Sequence, residues 1–458
     1  MEGSLTRRDA VAGAAVAALD LSGLYALVDR FAGSPPRRRA VVGVLPEQHL
    51  LQGVRVAHTS GVAVLVPPLH HEVVTAVVRV DAGELKDARA ALERELAALE
   101  RRYEPTPAGL EIVVAWGAPY FARLVPGAAA RHLPFDRRAG RPALLDARRF
   151  PSDPDDTVLE GNDVAILLRS DQIAHVDDAR EAILGLGLLR VTSRRRGFVG
   201  GSAGGGDSLV RRMALAADVP GAERIPFGAE LFLGFASTQK ASMGSGKIAN
   251  FETLGLVDLR GSAYFREGTH MHLSHIAEDL EAWYGRFDFG ERVEAAFRPN
   301  LTVTAGSQVL PQGSQELFRL GDVSWQHQLS GAIGHSSSIQ PVSRLQAEAT
   351  GPDGTRYPRG TPIPIRADFN TLDNPFAESV GAVGKRPQAG LHFVAFNPSS
   401  DDFERNRLAM DGVYPTANLG LEARSHAQGI NSVLRTTHRQ NFLVPPRRHR
   451  SFPLAELG

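Results

Sequence analysis

The segment Ile363-Pro364-Ile365-Arg366-Ala367-Asp368-Phe369-Asn370 alternates polar and apolar residues in the manner of a strand. Side chains two apart on a strand share a face at about 6–7 Å. Arg366, Asp368 and Asn370 therefore stand together, opposite Ile363, Ile365, Ala367 and Phe369. A guanidinium beside a carboxylate can steady negative charge and exchange a proton in one cavity; the same pattern also suits a wet strand face carrying an ordinary ion pair. His270-x-His272-x-x-His275 offers a second chemistry. Its first two imidazoles share a strand face at a spacing that suits zinc or copper, although no third carboxylate or thiolate is evident nearby. His70-His71 point to opposite faces of a strand and read as structural. His335, in the run Gly334-His335-Ser336-Ser337-Ser338, is by residue type alone a solvated turn histidine.

The chain contains no cysteine, which excludes disulfides, thiolate zinc sites, iron–sulfur clusters and thiol nucleophiles. A metal must be held by His, carboxylate or Met, or arrive inside a cofactor. Gly-x-Ser-x-Gly in a strand–turn–helix context is missing, so a hydrolase elbow is not evident. The glycine-rich stretch from Gly200 to Gly206 has neither the Lys-Ser/Thr of a P-loop nor the spacing of a dinucleotide fingerprint, and reads as a hinge. Lys and Arg together number 51 and so do Asp and Glu, so no overall field draws nucleic acid or an anionic membrane. No segment is long and apolar enough to span a membrane.

These residues have to be positioned by elements that are legible in the periodicity. Val73 to Val80 is β-branched and strand-like; Glu84 to Glu100 carries apolar residues at helical spacing among charges; Leu110 to Trp116 and Asp163 to Leu168 are strands; Asp177 to Leu186 is a helix; Leu188 to Val191 is a strand. Strand–helix–strand–strand–helix–strand predicts a ferredoxin-like α+β unit, an antiparallel sheet with peripheral helices. A second round starts near Gly200, with Leu231 to Phe235, Met271 to Ile276 leading into a helix through Trp283, and late strands at Thr361 to Phe369 and Leu391 to Phe396. The expected division is 1–40 as a signal, or a helix plus linker, 41–199 and 200–413 as two ferredoxin-like domains, and 414–458 as an extended tail over the surface. Thr6-Arg7-Arg8-Asp9-Ala10-Val11 before an Ala/Val run is similar to a twin-arginine export signal; an amphipathic helix with Asp9 and Asp20 on its wet side is the competing reading. The first places the protein in the periplasm or outside the cell, the second leaves it cytoplasmic.

Several segments, in this order, resemble the dye-decolourising peroxidase family. Gln52-Gly53, Thr106 to Leu110 with Ala115-Trp116-Gly117, Glu267-Gly268-Thr269 with the strand and helix that follow, Gly334-His335 with Pro341 six positions on, Ile365-Arg366, and Gly390 to Phe396 match its elements. Gly234-Phe235-Ala236-Ser237-Thr238 stands where the family has Gly-Phe-x-Asp-Gly, so Ser237 replaces the acid and Thr238 the second glycine. The likeness runs from about Gln52 to Met410 and describes a divergent branch, with two ferredoxin-like domains assembled in the manner of a dimeric α+β barrel.

The resemblance implies a haem b protein, with His335 as the iron ligand, Arg366 as the distal cation, and Phe235 and Phe393 beside the cofactor. His327, eight residues before His335, is the alternative ligand. The implied reaction is oxidation of a small-molecule reductant by hydrogen peroxide, with homo-oligomerisation open. Ser237 cannot take up and return a proton as a carboxylate does near neutral pH. Either Asp368 supplies the missing carboxylate, or haem serves another chemistry, a sensor or a carrier, or the fold has lost haem altogether. Met243 to Asn250 is placed at the distal entrance, and Arg194-Arg195-Arg196 in a loop that meets solvent or a haem propionate.

Overall fold

The computed structural model describes residues 21–32, 43–59, 62–200, 208–235, 263–302, 317–350, 354, 356–373, 375 and 387–457. Among these, no helix is long and apolar enough to cross a membrane. Helix α1 (Leu21–Ala32) is followed by a first unit of β1 (His70–Val78), α2 (Leu85–Arg102), β2 (Glu111–Gly117), β3 (Val164–Ser170), α3 (Ile173–Gly185) and β4 (Leu189–Phe198). Its strands lie in the order β4-β1-β3-β2, all antiparallel. That is the ferredoxin-like arrangement the element order predicts. Helix α2 follows its sequence pattern: Leu85, Ala88, Leu92, Leu96 and Leu99 form the buried stripe.

The second unit repeats this plan with β5 (Thr269–Glu278), α4 (Leu280–Arg286), α5 (Phe289–Ala296), α6 (Leu320–Ser330), α7 (His335–Ser343), β6 (Ile365–Arg366), β7 (Phe369–Thr371), β8 (Gly390–Asn397), α8 (Ser400–Met410) and β9 (Leu434–Val444). Its strands run β7-β8-β5-β9, with β6 also on β8. The two units share one sheet. Strand β7 meets β4 through the pair Asn370↔Phe198, and β9 meets β2 through Phe442↔Gly117 and Leu443↔Trp116. The sheet thus closes on itself as a barrel filled by Val73, Leu167, Met271, Leu273, Ala367, Phe369, Val394, Phe396 and Phe442, among others. The helices pack outside it.

Three expectations change. The segment after Tyr414 is no surface tail, because β9 lies between β5 and β2 and is the strand that closes the barrel. Leu231 to Phe235 is a turn and not a strand, held by Gly234 N–H to Leu231 O at 2.9 Å and Leu231 N–H to Phe235 O at 3.1 Å. Gly234 has φ +90°, and a Cβ there would lie 2.6 Å from Tyr284 Oη, so this turn demands glycine. Arg194 to Arg196 sit within β4 and not in a loop: Arg194 and Arg196 bind the fully buried Glu72, and buried Arg195 pairs with Glu160. These arginines are spent on the fold.

Helix α1 is part of the second unit's core. Leu24, Tyr25 and Val28 are buried there, and Tyr25 Oη donates to Arg196 O at 3.0 Å while accepting from Leu372 N–H at 3.1 Å. The segment 21–32 is therefore built into the fold.

Candidate functional site

Outside the barrel, against β5 and β8, a cavity of about 280 Å³ opens beneath the turn 231–235, the helices α7 and α8 and the start of β9. The volume is at the lower edge of the range for small-molecule pockets, roughly 300–1,000 Å³. Strand alternation decides what it sees. Ser274, Ile276 and Glu278 of β5, and Leu391, Phe393, Ala395 and Asn397 of β8, face the cavity. Met271, Leu273, Val394 and Phe396 point the other way, into the barrel.

Five of the sequence-predicted site residues line this cavity: His335, Arg366, Asp368, Phe235 and Phe393. Ser237, Thr238 and Met243 to Asn250 lie outside the described residues. His335 is the first residue of α7, and not a solvated turn residue. Gly334 before it packs so closely that a Cβ would lie 2.5 Å from Arg298 Cα, which fixes where the helix starts. Burial, then the charges of Arg366 and Arg407, push the His335 imidazole down to about 4. It is neutral at physiological pH, and its Nδ1 is sealed from solvent with no hydrogen-bond partner among the described residues.

Arg366 and Asp368 reach the cavity although the strand that carries them is interrupted between β6 and β7. Ile365, Ala367 and Phe369 still turn into the barrel, as the alternation requires. Arg366 Nε and Asp368 Oδ1 are 4.0 Å apart. Asn370, expected on the same face, instead donates its amide to Phe198 O and Glu230 O. Phe235 meets Phe297 edge-on, with ring centroids 5.0 Å apart.

The remaining histidine candidates separate. His272 Nδ1 lies 2.7 Å from Asn441 Oδ1 and its Nε2 2.6 Å from Ser274 Oγ, while His275 turns to Thr437 Oγ1 at 2.6 Å. No group of three His, Cys, Asp or Glu among the described residues is placed to hold a metal ion. His70 bonds Asp29 at 2.6 Å and His71 stacks on Phe369, on opposite faces as expected. His327 lies on α6, away from the cavity lining.

Sequence reasoning missed Glu278, Arg344, Asn397, Arg407 and Arg439, which also line the cavity. Arg407 donates to Ser152 Oγ at 2.6 Å and meets Asp411 at 3.0 Å; Arg439 binds Asp153 at 2.8 Å. Asn397 is fully buried, and neither amide atom has a partner among the described residues. Only the alternation of β5 and β8 carried a signal for Glu278 and Asn397, and it required knowing which face the helices cover.

A family model described as DUF7405, a family of unknown function, matches residues 68–446. The chain belongs to the DUF7405 family. No curated protein matches it. Among solved structures, this DUF7405 protein is similar to the encapsulated DyP-type peroxidase of Mycobacterium smegmatis, at 13% identity and TM-score 0.50 over 84% of this chain and 95% of that one. A DyP-type peroxidase protein of Shewanella oneidensis matches at 13% identity and TM-score 0.49, over 84% and 94%. A variant of DypB from Rhodococcus jostii RHA1 in complex with heme matches at 13% identity and TM-score 0.48, over 84% and 96%. At this identity the first likeness establishes the fold: the DUF7405 chain has the ferredoxin-like α+β architecture of the DyP-type peroxidases.

Proposed function

We propose that this DUF7405 protein is a haem b-dependent, peroxidase-like oxidoreductase that uses hydrogen peroxide to oxidise a small-molecule reductant. The observation that carries the reading is the convergence of His335, Arg366, Asp368, Phe235 and Phe393 on one cavity, in a chain with the fold of a peroxidase family. The residues fit the cofactor. A neutral imidazole is what an iron ligand must be. The apolar wall of Phe235, Phe297, Ile339, Leu391, Phe393 and Ile430 suits the face of a tetrapyrrole, and Arg344, Arg366, Arg407 and Arg439 suit its carboxylates. When bound, haem would supply the one-electron redox chemistry that protein side chains lack.

The chain's own residues then have three tasks. His335 holds the group and fixes its orientation from the start of α7. Arg366 places a permanent positive charge where negative charge develops on peroxide oxygen. Asp368, beside it, takes up and returns a proton in place of the acid replaced by Ser237.

The test is turnover. Haem-loaded protein mixed with hydrogen peroxide and a phenolic reductant is expected to oxidise the phenol faster than the same concentration of free haem. A rate no greater than free haem, with haem still bound, would contradict the peroxidase reading and leave a haem protein of other function.

A further inference from the structure

We infer that Glu278 is a further catalytic residue of this cavity, a carboxyl group that hands a proton to the oxygen of a ligand bound there. The inference rests on the peroxidase-like reading above and adds a second proton-carrying group to the cavity beside Asp368. Glu278 closes β5, on the same cavity-facing side as Ser274 and Ile276. It is 7% exposed, and its Oε2 is sealed from bulk solvent with no hydrogen-bond partner among the described residues. Its place is rigid. The Glu278 N–H donates to Ala389 O at 3.0 Å, and the next residue, Asp279, caps α4 by accepting from Ala282 N–H at 2.9 Å. A buried carboxyl in an apolar wall, fixed at the backbone and unpaired at one oxygen, has no evident structural task.

The charged and titratable groups acting on it come from two neighbours. Asp368 repels its ionised form, and Glu278 in turn raises the Tyr284 hydroxyl of α4. Burial first, and then Asp368, push the Glu278 carboxyl up to about 8. At neutral pH it keeps its proton and can donate it, the arrangement that makes a buried carboxyl an acid.

The step balances. The Glu278 O–H bond breaks and an O–H bond to a peroxide oxygen forms, leaving Glu278 as a carboxylate. Reduction of one hydrogen peroxide to two waters consumes two electrons and two protons. A phenol-class reductant releases an electron and a proton on each oxidation, and one of those protons restores the carboxyl.

Infrared difference spectroscopy of the full-length protein across a pH titration tests this. A carboxylic-acid C=O band should disappear with a midpoint near 8, be missing in Glu278→Gln, and shift its midpoint downward in Asp368→Asn, where the repelling charge is gone. In haem-loaded Glu278→Gln, the peroxide reaction should slow by about 10²-fold at unchanged haem content. A titrating band that survives in Glu278→Gln, or an unchanged peroxide rate there, overturns the inference. A wild-type protein that shows the band and binds haem yet turns over no peroxide rejects the peroxidase reading and the hand-off with it.

Discussion

His335→Ala is expected to strip the purified protein of its Soret band, with haem retention falling by well over 10-fold. Changing only a group behind a metal ligand already costs about 10–100-fold in affinity, and removing the ligand itself costs more. The substitution is clean in this setting. His335 opens a helix, where alanine is at home, and its Nδ1 has no hydrogen-bond partner to lose among the described residues. An alanine variant with wild-type haem content would reject the ligand assignment, and an unchanged circular dichroism melt would show that the fold is not the reason for the loss.

Asp368→Asn is expected to lower the rate of the peroxide reaction by about 10²–10⁴-fold, the contribution of a positioned proton-transfer group. Haem content should stay the same. The amide keeps the size of the carboxylate and can still lie 4.0 Å from Arg366 Nε, but it cannot accept a proton from peroxide. Stopped-flow mixing of the haem-loaded variant with hydrogen peroxide reads the step directly. Equal rates would remove Asp368 from the chemistry and turn attention to Glu278 and Ser237.

The parts of this molecule that follow hydrophobic period are legible in its sequence. Leu85 to Leu99 repeats at helical spacing because one stripe of α2 meets the sheet, and the alternation around Arg366 survives the break between β6 and β7 because Ile365, Ala367 and Phe369 must fill the barrel. Strand β9 carries no such signal. Arg435 to Asn441 is polar at seven successive positions, which reads as a surface segment. It is largely buried because its polar groups find partners inside: Arg439 with Asp153, Gln440 with Asn162, Asn441 with His272, and Thr437 with His275. Arg194 to Arg196 read as a loop for the same reason, since Glu72 and Glu160 lie far away in sequence. Burial of paired charge leaves no periodic trace.

The site is partly legible. His335, Arg366 and Asp368 are brought together by α7 and the β6–β7 segment, which both line one cavity. Glu278 stays hidden because its importance depends on an unpaired oxygen in an apolar wall, a property of packing and not of residue spacing.

Titration of the purified full-length protein with haem asks whether this cavity takes the cofactor through His335. A Soret band should grow to saturation at one haem per chain and be lost in His335→Ala. A band that never saturates, or one that grows equally in the alanine variant, would contradict it.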